Sequence, residues 1–193
     1  ARGADDAFLV SSRAFGGADT LATSYTISMA IRKACGGKAP DLVLFGKQAI
    51  DGDTAQVGPG VSEFLDVALV TYVKELAVDG ASFRAVTAMD DGDHVVTGTL
   101  PAVMTVAKEA PEPRFASLAG TLAAAGASIR TLDERDLGAD PARIGLAGSP
   151  TKVVRIFPPP ARTGGRKIVW TGDATELVAA VRAAVGASGT EGR

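Results

Sequence analysis

The chain has 193 residues, a length that suits one domain or one domain with an extension, and 46% of them are hydrophobic, which is enough to bury a sizeable core. Its formal net charge is −2 and its pI is about 5.4, so no basic excess favours binding to nucleic acid or to an anionic membrane. A single cysteine excludes an internal disulfide and fits a reducing compartment such as the cytoplasm, and no apolar run approaches the roughly 20 residues of a membrane span.

The first predicted elements are a strand and a helix. Residues 7–11 form the short apolar run AFLVS, which is typical of a buried strand. A helix is predicted from Thr20 to about Cys35, because Asp19 is a favoured N-cap and Gly36-Gly37 supplies the glycines that often end a helix.

The next segment repeats this order. Residues 42–45 (LVLF) are predicted as a strand end, and a helix with Pro59 in its first turn is predicted to continue through Leu65. Between them lies the loop GKQAIDGDTAQVG, residues 46–58. A strand, a glycine-containing loop and a helix start can direct backbone N–H groups and a helix dipole at a phosphate, whereas short acids and amides can hold ribose hydroxyls. A polar βα loop with ordinary caps explains this spacing about equally well.

The remaining predicted elements are mostly strands. They are a strand at 68–73, a β-hairpin of 83–88 and 94–99 around the acidic turn 90–93, a strand at 101–106, a small helix at 118–125, and a last helix capped by Asp173 with Glu176 three residues on. Strands that alternate with helices predict an α/β fold with a parallel sheet and an antiparallel excursion. Residues 1–150 are the predicted main domain, and 151–193 an extended arm with a helix.

The chain offers little for catalysis. His94 is its one histidine and lies in or beside the hairpin, so no zinc site or Ser-His-Asp triad can be built on it. Asp51 and Asp53 could form a carboxylate pair, but they lie two residues apart in a loop without an evident partner, which favours binding over acid–base chemistry.

A second polar junction, residues 16–23 (GGADTLAT), also lies where a helix begins after a strand. Two such junctions on adjacent strand ends would converge on one crevice, the usual ligand site of open α/β sheets, although helix capping explains Asp19 and Thr20 nearly as well. Neither junction matches a Walker A motif or a GxGxxG fingerprint. The residues therefore predict a nucleotide-binding α/β domain without visible catalytic machinery.

Several strings resemble the β subunit of electron transfer flavoproteins. They are DLVLFGKQAIDGDTAQVGP at 41–59, FGGADTLATSYTI at 15–27, LPAVMTV at 100–106 followed by EPR at 112–114, and GLAGSPTKVVRIFPPP at 145–160. The resemblance covers essentially the whole chain. It implies a Rossmann-like sheet of the adenine-nucleotide-hydrolase type and a heterodimer with an α subunit that holds the redox FAD. It also implies electron transfer to an acyl-CoA or related dehydrogenase.

The same resemblance implies the site. Residues 46–57 match the family's adenine-nucleotide loop, which binds AMP in simple carriers and, in the electron-bifurcating branch, a second FAD that meets NADH. The strings DGDTAQVGP and GSPTKVVRIF look closer to the anaerobic or bifurcating branch. The cofactor-binding residues expected are Gly46, Lys47, Gln48, Ala49, Ile50, Asp51, Gly52, Asp53, Thr54, Ala55, Gln56, Val57, Gly58, Asp19, Thr20 and Thr23. Arg114, Phe115 and Leu118 match the recognition loop that grips partner dehydrogenases, with Leu118 as its apolar anchor.

The chain departs from the family pattern at several positions. Pro111 stands where the family usually has Asn, 121–126 replace a Lys-rich helix, and Thr87 and His94 replace a basic residue and a glutamate of the hairpin. The family also begins with a strand and loop that help to cradle the nucleotide, and the resemblance implies that this sequence starts after them. The resemblance then implies an uncovered sheet edge and weak nucleotide binding by the lone chain.

Two other classes of function remain open. The first is a stand-alone adenine-nucleotide-binding regulator, with a complete pocket in one chain and no partner-wrapping arm. The second is a hydrolase that uses Asp51 or Asp53, which the lack of a partner for either carboxylate disfavours.

Overall fold

The computed structural model describes residues 1–38, 40–160 and 172–188. The strands are β1 Phe8–Val10, β2 Leu42–Gly46, β3 Ala68–Asp79, β4 Ser82–Met89, β5 Gly92–Thr99, β6 Ala102–Val106 and β7 Arg130–Leu132. The helices are α1 Thr20–Ala34, α2 Val57–Leu65, α3 Leu118–Ala125, α4 Glu134–Leu137 and α5 Ala174–Ser188. The chain divides into two compact units, 1–154 and 155–193. The predicted domain boundary after residue 150 stays a prediction.

The larger sheet of the first unit is mixed. Its strand order is β2-β6-β3-β4-β5, in which β2, β6 and β3 run parallel and β3, β4 and β5 form an antiparallel meander. Met104 of β6 lies between Leu44 of β2 and Val70 of β3. Four consecutive β6 residues, 102–105, are buried, as expected for a central strand that is covered on both faces.

Side chains on the two faces of β6 belong to different hydrophobic clusters. Met104 packs with Val70 and Phe83 on one face, whereas Val103 packs with Val61 and Leu65 of α2 on the other. Helices α1 and α2 lie side by side. This packing fixes the first turn of each helix, and therefore the two polar junctions, in relation to the sheet.

The α/β class and the antiparallel hairpin are confirmed, but one topological expectation is wrong. In the part of the chain that the structure describes, the strand predicted at 7–11 is not a neighbour of the strand predicted at 42–45. Instead β1 pairs in parallel with β7 in a separate two-stranded sheet. Strand β7 and the short helix α4 were not predicted, because a three-residue strand carries no hydrophobic period that a sequence pattern can reveal.

The helix of the second unit begins where the sequence predicts. The Asp173 carboxylate accepts hydrogen bonds from the backbone N–H groups of Thr175 (2.6 Å) and Glu176 (3.0 Å), which confirms the predicted cap of α5. Residues 155–160 have no regular secondary structure, and residues 161–171 of the predicted arm lie outside the described residues. None of the helices described here is long and apolar enough to cross a membrane.

Candidate functional site: a crevice at the strand ends

The two polar junctions meet at the carboxyl ends of the strands. The Thr20 hydroxyl at the start of α1 donates a hydrogen bond to the Gln56 side-chain oxygen just before α2, at 3.0 Å. The buried Ser24 hydroxyl lies 3.3 Å from the Val57 carbonyl oxygen and also links the two helices. The junctions converge because α1 packs against α2, and not because their strands are neighbours in one sheet.

Between these junctions lies a cavity of about 850 Å³, here called the strand-end crevice. All of the predicted cofactor-binding residues line it except Ile50 and Asp51. The Ile50 side chain is fully exposed, and Asp51 is exposed as well. The lining residues are Ala18, Asp19, Thr20, Thr23, Phe45, Gly46, Lys47, Gln48, Ala49, Gly52, Asp53, Thr54, Ala55, Gln56, Val57, Gly58, Thr151 and Val153.

The loop between β2 and α2 has an unusual backbone. Asp53 and Ala55 are non-glycine residues with positive φ, 47° and 54°. A hydrogen bond from the Gln48 side-chain amide to the Asp53 carboxylate and one from the Asp53 N–H to the Ala49 carbonyl (2.9 Å) hold this conformation. Residues in such sparsely populated conformations cluster at ligand-binding sites, where the surrounding structure over-determines them.

Helix α2 directs its N-terminus at the crevice. No side chain caps this helix, since Gln56 at its N-cap position makes no capping hydrogen bond. The first-turn residues Val57 and Gly58 line the crevice, and the following Pro59 has no N–H to satisfy. Backbone N–H groups and the positive end of a helix dipole at a crevice favour an anionic ligand group.

Asp19 joins a distant segment to the crevice. One of its carboxylate oxygens caps α1 through Leu21 N (3.0 Å) and Ala22 N (3.1 Å), as the sequence predicts. The other accepts hydrogen bonds from the Thr151 N–H (3.1 Å) and hydroxyl (3.0 Å). Desolvation raises the pKa of Asp19, but the hydrogen bonds from Thr151, Ala22 and Leu21 together lower it below its ordinary value. The carboxylate therefore stays ionised at neutral pH.

Sequence reasoning missed Thr151 and Val153 as residues of the crevice. The segment that carries them is anchored by Ser149, whose hydroxyl oxygen accepts the Asp19 N–H at 2.8 Å and lies 2.7 Å from the Gly145 carbonyl, to which it donates. The residues Thr151, Lys152 and Val153 after Pro150 form no pattern that indicates a contact with a residue more than a hundred positions earlier.

The other residues singled out from the sequence lie elsewhere. Arg114 and Phe115 line a second cavity of about 830 Å³ between residues 1–7 and α3, which shares no lining residue with the strand-end crevice. The side chains of Phe115 and Leu118 are 90% and 79% exposed. His94 is exposed and lies 3.0 Å from the Asp91 carboxylate in the hairpin.

A crevice at the carboxyl ends of parallel strands, lined by two βα junctions, defines a ligand-binding α/β domain. The family model described as "Electron transfer flavoprotein domain" matches residues 1–137 of this chain. The chain therefore belongs to the electron transfer flavoprotein domain family, and the resemblance found in its motifs is confirmed.

Curated relatives are similar over most of the chain. It is 45% identical to the electron transfer flavoprotein subunit beta of Megasphaera elsdenii, over 86% of this chain and 62% of that protein. It is 44% identical to the caffeyl-CoA reductase–Etf complex subunit CarD of Acetobacterium woodii, over 89% of this chain and 64% of that protein. It is 42% identical to protein FixA of Azotobacter vinelandii, over 89% and 62% respectively. The chain thus spans less than two thirds of the length of these relatives.

Proposed function

We propose that this chain is a β-type subunit of an electron transfer flavoprotein. It would carry electrons between a donor and a dehydrogenase as a heterodimer with an α subunit that holds FAD. The family match and the relatives named as electron transfer flavoprotein and reductase–Etf complex subunits support this proposal. In this proposal the mixed sheet is a Rossmann-like sheet of the adenine-nucleotide-hydrolase type, and the protein acts in the cytoplasm.

We further propose that the strand-end crevice binds the adenosine half of AMP or of a second FAD. The observation that carries this proposal is the convergence of two polar junctions on one cavity, with the uncapped N-terminus of α2 lining it. Thr20, Thr23 and Thr54 supply hydroxyls and Gln56 an amide, groups that suit a ribose and an adenine edge, and the first turn of α2 suits a phosphate. The strings DGDTAQVGP and GSPTKVVRIF, which look closer to the bifurcating branch of the family, favour a second FAD accessible to NADH over AMP.

The chain's own side chains position the cofactors and do not take part in bond-making steps. Asp19, Lys47 and Asp53 are the titratable residues among those that line the crevice, and Asp19 already accepts four hydrogen bonds. Asp53 accepts a hydrogen bond from the Gln48 side-chain amide, so each of the two carboxylates already holds a loop of the crevice. A bound flavin would supply the redox chemistry, while the protein excludes water and orients the cofactor.

The exposed apolar side chains suit contacts with protein partners. Phe115 and Leu118 at the start of α3, with Arg114 beside them, would form the contact with an acyl-CoA or related dehydrogenase. In the second unit, α5 exposes the apolar side chains Leu177, Val178 and Val181. We propose that this unit contacts the α subunit, since an apolar stripe on a helix favours burial against a partner.

Flavin quantitation in the purified heterodimer tests the carrier function. About one flavin per heterodimer with bound AMP indicates the simple form, about two indicate the form with a second FAD, and none refutes the proposal. Thr54→Arg, which places a long side chain in the crevice, should remove the β-bound nucleotide. Ile50→Arg is the matched control, because Ile50 lies in the same loop outside the crevice. Equal nucleotide content in both variants would show that the crevice is not the site.

A stand-alone adenine-nucleotide-binding regulator is the second candidate. One observation favours it: among the residues that the structure describes, those that line the crevice all belong to the first unit. Size-exclusion chromatography of the chain with and without the α subunit separates the two proposals. A regulator would elute alone and bind AMP fully, whereas a carrier subunit would elute as a heterodimer.

A further inference from the structure

Strand β3 contains a β-bulge beside the strand-end crevice. Its pairing with β6 shifts between Val70 and Val73, so that Thr71 and Tyr72 together face the single residue Thr105. Tyr72 has a φ of 58°, the left-handed region that a bulky L-residue rarely adopts. Its N–H donates to the Thr105 hydroxyl at 3.0 Å in place of a regular ladder bond. Bulges of this kind re-aim side chains and are frequent beside functional sites.

The re-aimed side chain meets a lysine of the crevice. The Lys47 Nζ atom lies 4.9 Å from the centre of the Tyr72 ring. The backbone of Lys47 is fixed at the end of β2, because its N–H donates to the Val106 carbonyl at 3.0 Å. Among the described residues that line the crevice, Lys47 is the one cation. Among the residues that the structure describes, the ion pairs within 4.0 Å involve other side chains, and none occupies the Lys47 ammonium.

Thr105 connects the bulge to the loop at the start of α2. It is 2% exposed, its hydroxyl accepts the Tyr72 N–H, and a Cβ added to Gly58 would lie 2.6 Å from its methyl group. The buried Thr105 side chain therefore contacts both the bulge that carries Tyr72 and the first turn of α2. Lys47, which Tyr72 contacts, and the N-terminus of α2 both line the strand-end crevice.

We propose that Lys47 binds a phosphate group of the nucleotide in the strand-end crevice, and that Tyr72 is the positioning residue that holds Lys47 there. This inference rests on the nucleotide binding proposed above. A lysine has a flexible four-carbon stem, and contact with an aromatic face reduces the conformational freedom that binding would otherwise remove. The uncapped turn of α2 and the Lys47 ammonium would then provide the two positive groups for one anion.

Titration of the chain with AMP, FAD and adenosine tests this proposal, since adenosine lacks the phosphate. Lys47→Gln should weaken the binding of AMP or FAD about tenfold and that of adenosine less than about twofold, because it removes one charge-assisted hydrogen bond. Lys108→Gln is the matched control, an exposed lysine outside the crevice. Tyr72→Gly, which tolerates the positive φ but lacks the ring, should weaken AMP binding about threefold. Tyr72→Phe keeps an aromatic ring and should bind AMP as tightly as the unsubstituted chain.

The double variant separates positioning from a general structural role. If Tyr72 acts through Lys47, Tyr72→Gly should have no further effect on AMP binding in the Lys47→Gln background. The inference is overturned if Lys47→Gln behaves like Lys108→Gln, or if Tyr72→Gly weakens adenosine as much as AMP. A loss confined to FAD still supports it and assigns Lys47 to the pyrophosphate. If neither the unsubstituted chain nor its heterodimer with the α subunit binds any of the three ligands, the proposed nucleotide site itself fails.

Discussion

The close approach of Gly58 to Thr105 predicts a specific steric conflict. A Cβ on Gly58 would lie 2.6 Å from the Thr105 methyl carbon and 3.5 Å from the Phe45 Cβ. Thr105 cannot move aside easily, because it is buried on β6 between β2 and β3. We expect crowding in this packed position to cost about 2–3 kcal/mol, offset by about 1 kcal/mol from the better helix propensity of alanine.

Gly58→Ala should therefore lower the free energy of unfolding by about 1–2 kcal/mol, which corresponds to a Tm lower by about 2–8 °C for a chain of this size. Urea denaturation followed by far-ultraviolet circular dichroism measures the free energy directly. Gly52→Ala is the matched control, because its added Cβ meets nothing within 4 Å. It should change stability by less than about 0.5 kcal/mol.

A compensating substitution tests the cause. Thr105→Ser removes the methyl group but keeps the hydroxyl that accepts the Tyr72 N–H. In the Thr105→Ser background, Gly58→Ala should cost less than about 0.5 kcal/mol, because the alanine methyl then fills the vacated space. The steric argument is refuted if Gly58→Ala costs the same in both backgrounds, or if it matches Gly52→Ala.

Three further substitutions give independent checks. Asp19→Asn should lower the urea midpoint at pH 7, because an amide nitrogen cannot accept the Thr151 hydrogen bonds. Folding lowers the pKa of Asp19 below its ordinary 3.8, so the ionised carboxylate stabilises the fold above that pH, and this stabilisation is lost as the pH falls through the folded-state pKa. The difference in midpoint between Asp19→Asn and the unsubstituted chain should therefore shrink on acidification. Arg143→Ala should lower the free energy of unfolding by about 1 kcal/mol through loss of its stacking on Tyr25 at 4.1 Å, and Arg143→Lys should lose less; equal midpoints for all three proteins would exclude a stacking contribution. Leu118→Ala should leave the urea midpoint unchanged, because Leu118 is exposed, yet slow electron transfer to the dehydrogenase in a coupled dye-reduction assay; an unchanged rate would remove Leu118 from the proposed contact.

Features that depend on neighbouring residues could be predicted from the sequence. The Asp19 cap, the cap of α5 by Asp173 and the helix at Leu118–Ala125 are observed where they were predicted. The hairpin around residues 90–93 also forms as expected, with Gly92 at a φ of 128°. In each case the determining contact spans only a few residues, so side-chain type and spacing specify it.

The membership of the candidate site was predicted in part. A loop between a strand and a helix at the edge of a sheet lines a crevice by topology, and the residues 46–58 line it except Ile50 and Asp51. The left-handed residues Asp53 and Ala55 turn this loop, and no pattern of residue types reveals such a turn. That the residues 46–58 bind a nucleotide stays a prediction.

The sequence by itself determined the α/β class and the two polar junctions, because these follow from hydrophobic periodicity and local turn chemistry. The family was indicated by the resemblance of the motifs. Only the tertiary structure decided that β1 pairs with β7, that Thr151 binds Asp19 and that Tyr72 lies over Lys47. The physical reason is that each of these contacts joins residues far apart in the chain. Their partners are selected by the packing of α1 on α2 and by the register of β3 on β6, and neither leaves a local signal in the sequence.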